Sequence, residues 1–295
     1  MVEEVKSMSP MRLAVVQGSD KLVLESIKIA TDEGIIIPIL IGDEIKIKEQ
    51  ARKINLSLEA IEIIDIKDIS LMASTGAKLI SENKADILMK GMISTAPFVR
   101  AVLDPSYSLV ERKLISHLSV FKTPAYGKML FITDAGINIS PTLEEKCIIL
   151  QNSIDTLNIL GYKKPKVAVL TAVETVSSNM PACIDAAIIS KMAERKQITG
   201  ALVDGPLALD NAINKEAALQ KGITSPVAGD ADLLLVPNIE TGNTLAKSIT
   251  YLSGGDMAGV VVGAKAPIVV ASRADSSKTK FLSIVLACKI ASGNR

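Results

Sequence analysis

The chain has 295 residues, with 33 Lys and Arg set against 32 Asp and Glu; this balance gives no basic face for DNA or RNA and no reason to expect an acidic membrane as partner. It is 48% apolar but only 3% aromatic, with no Trp, which points to an aliphatic core of sheets covered by helices, and the length suits two domains. Three scattered cysteines (Cys147, Cys183, Cys288), no C-x-x-C and one histidine, His117, exclude a disulfide framework, a zinc knuckle and a multi-histidine metal site, and fit a reducing, cytoplasmic compartment.

The N-terminal MVEEVKSMSP carries acids where a signal peptide carries bases, and no apolar run reaches the roughly 18 residues needed to span a bilayer. Short β-branched runs, each closed by a turn, then follow one another along the chain. They are RLAVVQ (12–17) before Gly18-Ser19-Asp20, IIPILIG (36–42), ADILM (85–89) before Lys90-Gly91, and MLFIT (129–133) before Asp134. KVAVLTA (166–172), GALV (200–203) before Asp204-Gly205-Pro206, ADLLLV (231–236) before Pro237, GVVVG (259–263) and PIVVA (267–271) complete the set. Helix-period stretches lie between them; in LEEKCIILQNSIDTLNILG, Leu143, Cys147, Leu150, Ile154, Leu157 and Leu160 share one face and Gly161 supplies the stop. His117, in ERKLISHLSVF, approaches a strand or a helix face and reads as structural. The pattern is that of βα units, hence an α/β protein with mostly parallel strands. The stretch TPAYG (123–127) marks a crossing point, giving a first domain of residues 1–125 plus 259–295, a second of 126–258, and a cleft between them.

Parallel sheets bind ligands at the carboxyl ends of their strands, where helix N-termini point free N–H groups outward. After ADILM come Lys90, Gly91, Ser94 and Thr95, then a helix bearing Arg100. A lysine, a close-approach glycine and two hydroxyls there make either an anion cradle or an ordinary helix cap. In PNIETGNTLAKS, Gly242 and Asn243 open a helix and have the same two readings. The last strand ends in Ser272-Arg273-Ala274-Asp275. An arginine at the end of a buried strand needs an anion, either Asp275 in a local pair or a phosphate held with Ser272 beside it. No G-x-G-x-x-G, G-x-x-x-x-G-K-[ST], H-E-x-x-H or G-x-S-x-G occurs, which disfavours P-loop hydrolases and typical NAD dehydrogenases.

In order, ADILMKGMISTAPFVRAVL, SHLSVF, LFITDAGINISPTLEEK, GALVDGPLALDNAI, AGDADLLLVPNIETGN and GAKAPIVVASRADS resemble the phosphate acetyl/butyryltransferase family, the butyryl type in particular. The resemblance covers roughly residues 85 to 280. It implies two α/β domains of the isocitrate/isopropylmalate dehydrogenase-like kind, a homodimer, and interconversion of short-chain acyl-CoA plus phosphate with acyl phosphate plus CoA. It implies no redox cofactor and no metal; CoA is a substrate. Ser272 and Arg273 fall where the family holds the phosphoryl group, and Arg100 where it binds substrate. The aspartate that acetyl-type relatives carry seven residues after the serine is Thr279 here, so Asp275 becomes the expected base or orienting group.

That chemistry needs phosphate and thioester held together and fixed donors for the tetrahedral oxyanion, from Ser272, Arg273 and the Gly91 and Asn243 loops. It also needs a thiolate: a thiol of pKa ~8.5 is only about 3% ionised at pH 7, a deficit near 2 kcal/mol that a carboxylate base addresses. No cysteine lies at a strand end as a nucleophile would. The alternatives are an acetyl-specific transferase, a metal-dependent hydroxy-acid dehydrogenase on the same fold using Asp134, Asp204 and Asp230, and a non-catalytic CoA or acyl-phosphate sensor. Acyl chain length stays open.

Overall fold

In the computed structural model, which describes residues 1–293, a short helix α1 (Val2–Lys6) precedes the buried strand β1 (Met11–Val16). Three helices follow, α2 (Lys21–Asp32), α3 (Glu44–Lys53) and α4 (Ile69–Ser81), started by Asp20, Asp43 and Asp68. Each of these carboxylates accepts from a backbone N–H of the first turn, satisfying donors that the helix itself leaves free. Strands β2 (Ile36–Gly42) and β3 (Glu62–Asp65) alternate with them, and β4 (Ile87–Lys90) leads into α5 (Thr95–Val102). The sequence reading omits β3: its EIID is a half-exposed edge strand, too short and polar to show as a β-branched run.

The middle of the chain forms β5 (Ser116–Lys122), β6 (Leu130–Thr133), α6 (Leu143–Ile159), β7 (Lys166–Leu170), α7 (Pro181–Glu194) and β8 (Leu202–Leu207). Two short helices, α8 (Leu209–Ile213) and α9 (Lys215–Gln220), precede β9 (Leu233–Leu235) and α10 (Ile239–Leu252). A capping box of Thr142 and Glu145 starts α6. The chain ends with β10 (Asp256–Val262), β11 (Ile268–Val270) and α11 (Ser277–Gly293).

Two compact units result: Met1–Lys113 with the chain from Ala258 on, and Leu114–Met257. Sequence reasoning places the first crossing at 125/126; it falls at 113/114 instead. The reason is β5, which pairs antiparallel with β6 from Leu118 opposite Thr133 to Phe121 opposite Leu130 and so belongs to the second unit. Within the first unit the strand order is β3-β2-β1-β4-β11-β10, parallel except for β10 against β11. Within the second it is β5-β6-β9-β7-β8, parallel apart from β5.

The cores are aliphatic, as the composition requires. In the first unit α11 buries Ile284, Val285, Leu286 and Ile290 beside the smaller Ala287 and Cys288, and each of the four large side chains stabilises by about 1.5–3 kcal/mol. The second unit packs Leu130, Ile132, Leu170, Leu207 and Leu234 around Phe121. Among the described residues no helix is long and apolar enough to cross a membrane.

Candidate functional site

Strands β4 and β11 lie side by side and parallel, with Val270 opposite Lys90. This register brings the Lys90-Gly91 end of one strand level with the Ser272–Asp275 turn that follows the other. Lys90 is only 5% exposed, and its ammonium donates to the carbonyl oxygens of Gly91 (3.2 Å) and Ile93 (3.0 Å). Lys280, in the first turn of α11, is 3% exposed and donates to the carbonyls of Ser272 (3.1 Å) and Asp275 (2.5 Å). Burial holds the Lys90 ammonium below the ordinary lysine range, and the charges of Arg273 and Lys280 push it the same way. Burial lowers Lys280 too, against the opposing pull of Asp275 and Asp20. Neither lysine has a carboxylate partner within ion-pair distance among the described residues. Lys146, by contrast, is buried in the second unit with Asp185 at 2.7 Å. The fold therefore pairs one buried lysine and leaves two unpaired at the ends of β4 and β11.

The side chain of Arg273 is exposed and makes no ion pair or hydrogen bond among the described residues. Asp275 is occupied elsewhere: its carboxylate accepts from the backbone N–H of Ser272 at 2.7 Å, closing the turn. The local Arg-Asp pair is therefore not what this turn is built on. The Ser272 hydroxyl accepts weakly from the Ala274 N–H (3.4 Å), and its own proton stays uncommitted. Thr279, at the position of the acetyl-type aspartate, is taken up in the start of α11, where the Ser276 hydroxyl accepts from its N–H at 3.1 Å.

Ser94 and Thr95 are exposed at the start of α5, and Ser94 makes no side-chain capping bond. The helix N-terminus and both hydroxyls are therefore open beside Lys90. Gly91 is a close-approach glycine, but toward the protein itself: a Cβ there would lie 2.3 Å from the Gln17 carbonyl oxygen and 2.6 Å from that of Val16. Arg100 is in the last turn of α5 and lines a separate open hollow with Ala96, Val99, Leu103, Asp104 and Pro105. The structure groups Lys90, Ser272, Arg273, Asp275 and Lys280; no hydrogen bond or ion pair ties Arg100 to them among the described residues.

In the second unit, α10 opens at Ile239 with Asn238 as its cap, so Gly242 and Asn243 lie inside the helix and do not open it. A Cβ on Gly242 would meet Val236, Ala135 and the Asp134 carbonyl within 3 Å. The Asn243 amide donates to the Ala135 carbonyl at 3.4 Å. Both residues thus lock α10 onto the loop after β6. That loop is organised by Asp134, 3% exposed, which accepts from the N–H groups of Gly136 (2.8 Å), Ile137 (2.9 Å) and Asn138 (3.2 Å). Asp204 accepts from the Gly205 N–H, and Asp230 pairs with Lys128 and Lys166. The three aspartates of the dehydrogenase alternative are thus each engaged separately, and the described residues contain no group of three or more metal-ligating carboxylate, thiol or imidazole side chains.

His117 is buried on β5 with Nδ1 at 3.1 Å from the Ser119 hydroxyl. An apolar pocket of about 840 Å³ opens at the ends of β7 and β9, between the starts of α7 and α10, and includes Leu170, Met180, Ala182, Cys183 and Leu245. Burial pushes the Cys288 thiol up to about 12 and raises Cys147, the opposite of what a nucleophilic thiolate requires.

Lys280 is the group that sequence reasoning missed. Its signal was present: Lys280, Ser283, Ile284, Ala287 and Ala291 share one helical face and all are buried, and a lysine on an apolar stripe is out of place unless it has polar work to do.

The family described as Phosphate acetyl/butaryl transferase matches residues 1–75 and 67–288. A phosphate butyryltransferase of Clostridium beijerinckii is 43% identical over 295 residues, covering 100% of this chain and 98% of its own. A phosphate acetyltransferase of Rhizobium meliloti is also 43% identical, over 100% of this chain and 93% of its own. The crystal structure of a branched-chain phosphotransacylase from Enterococcus faecalis V583 superposes with a TM-score of 0.84 at 30% identity, covering 95% of this chain and 99% of that one. With its α/β fold and its unpaired cations at the ends of β4 and β11, the chain belongs to the phosphate acetyl/butyryl transferase family.

Proposed function

We propose that this protein transfers a short acyl group between coenzyme A and inorganic phosphate, with the anion bound at the ends of β4 and β11. One observation carries the reading: the Lys90 ammonium feels the charges of Arg273 and Lys280, none of the three cations has a carboxylate within ion-pair distance among the described residues, and the Asp275 carboxylate accepts from the backbone N–H of Ser272. Buried ammonium groups whose direct partners are only carbonyl oxygens are expensive, and an arriving phosphate dianion relieves that cost. Arg273, free to present its fork, and Ser272, with a proton to give, suit a tetrahedral oxyanion; Ser94, Thr95 and the N-terminus of α5 add donors.

In the forward direction a phosphate oxygen attacks the thioester carbonyl, forming the O–C bond; the tetrahedral oxyanion collapses, the C–S bond breaks and CoA leaves as thiolate. Fixed cations hold the nucleophile and stabilise developing negative charge without reorganising. Asp275 acts as an orienting group, since its carboxylate already accepts from the Ser272 N–H. The test is release of free thiol from butyryl-CoA, which should depend on inorganic phosphate. Absence of phosphate-dependent release from any short acyl-CoA overturns the proposal.

A further inference from the structure

We propose that Lys280 is a positioning residue of the anion site: its ammonium, clamped between the carbonyl oxygens of Ser272 and Asp275, fixes the turn that presents Ser272 and Arg273 to phosphate. The inference rests on the acyl-transfer reading for the identity of the anion and adds a residue which that reading does not require.

The placement of Lys280 is doubly unfavourable. It is buried, and it stands in the first turn of α11, where the positive end of the helix dipole repels a cation. Lys146 occupies the equivalent early position of α6, but Asp185 neutralises it at 2.7 Å. Lys280 has two carbonyl oxygens in place of a carboxylate. What those carbonyls belong to explains the arrangement. Ser272, Arg273 and Ala274 are all exposed, so no side chain of theirs packs into the core to hold the turn. Its internal ties are the Asp275 N–H to the Ser272 carbonyl (3.2 Å), the Ser272 N–H to the Asp275 carboxylate (2.7 Å) and the weak Ala274 contact. Lys280 adds the tie from a packed helix to both ends of the turn.

The charged groups that act on Lys280 or feel its charge are Lys90 from β4, Asp20 from the start of α2 and Asp275 from the turn; Arg273 acts on Lys90. Lys90 is depressed partly by the Lys280 charge, so removing that charge lets Lys90 keep its proton to higher pH. The readout that a merely structural lysine would not move is the split between the two KM values, a rise for phosphate without a matching rise for butyryl-CoA.

The experiment compares wild type, Lys280→Met and Lys280→Arg in phosphate-dependent thiol release from butyryl-CoA, and in thermal melting with and without inorganic phosphate; Lys280→Gln replaces Lys280→Met if the latter does not fold. We expect Lys280→Met to raise KM for phosphate about tenfold or more, to change KM for butyryl-CoA less than about twofold, and to move the alkaline limb of kcat/KM for phosphate to higher pH. Lys280→Arg, which keeps charge and donors, should restore most of the phosphate affinity. An unchanged phosphate KM, or an equal rise in both KM values with an unmoved alkaline limb, overturns the inference. If wild type releases no thiol but phosphate raises its melting temperature and not that of Lys280→Met, the positioning role stands and the acyl-transfer reading falls. If phosphate stabilises neither protein and no thiol is released, both fall.

Discussion

At the scale of single residues, the carboxylate of Asp275 decides how the Ser272–Asp275 turn works. Facing the Ser272 N–H at 2.7 Å, it orients the backbone that carries Arg273 and leaves the guanidinium free. An asparagine keeps an acceptor oxygen there, whereas an alanine removes it. We therefore expect Asp275→Asn to keep kcat within about fivefold of wild type and Asp275→Ala to lose about tenfold or more, read from initial rates of thiol release. Equal damage in the two variants would make Asp275 the base. Lys90 sets a pH dependence of definite sign. Its folded-state pKa lies below the ordinary 10.5, so between those two values the unfolded chain binds more protons, and this lysine's contribution to stability rises with pH. Phosphate affinity goes the other way, falling as pH climbs through the folded-state pKa and the charge is lost. The stability difference between wild type and Lys90→Met, from urea denaturation, should accordingly move in favour of wild type as pH rises toward 10.5. A difference independent of pH would contradict a buried charged lysine.

At the scale of elements, the strands whose apolar runs are fully buried were legible, from the 12–17 run that becomes β1 to the 267–271 run that becomes β11. Turn residues flagged their ends because Gly, Asp and Pro break the ladder. Two strands escaped: β3 because an exposed edge needs little apolar content, and β5 because SHLSVF carries polar Ser116, His117 and Ser119 at sites that are nevertheless buried. The candidate site could be nominated from sequence where polar residues follow one another directly, as in Ser272 and Arg273. It was illegible where the partner comes from packing, as with Lys280, or where a glycine's neighbour decides its role, as with Gly91 and Gly242. Gly91 gives a test at this scale. A methyl group there would enter the backbone oxygens of Val16 and Gln17 and force the ends of β1 and β4 apart, so Gly91→Ala should lower stability by roughly 2–3 kcal/mol. A denaturation midpoint equal to that of wild type would show that the close approach is not required.

At the scale of the whole molecule, a formal charge of +1 means that anion capture must be local, built from a few buried cations and open helix starts. The two units also separate stability from binding. Lys146 and Asp185 hold α6 to α7 within the second unit, and breaking a buried pair by removing one member costs about 3–5 kcal/mol. Asp185→Ala should therefore lower the melting temperature while leaving KM for phosphate within about twofold of wild type, because the cations proposed to hold the anion all belong to the first unit. A large rise in that KM would contradict this division. The decisive comparison is Arg273→Ala against wild type, with KM measured for inorganic phosphate and for butyryl-CoA in the same thiol-release assay. A rise of roughly 10- to 100-fold for phosphate with little change for butyryl-CoA is the expected result; an equal rise in both, or no change in either, would show that the guanidinium at the end of β11 does not hold the phosphate.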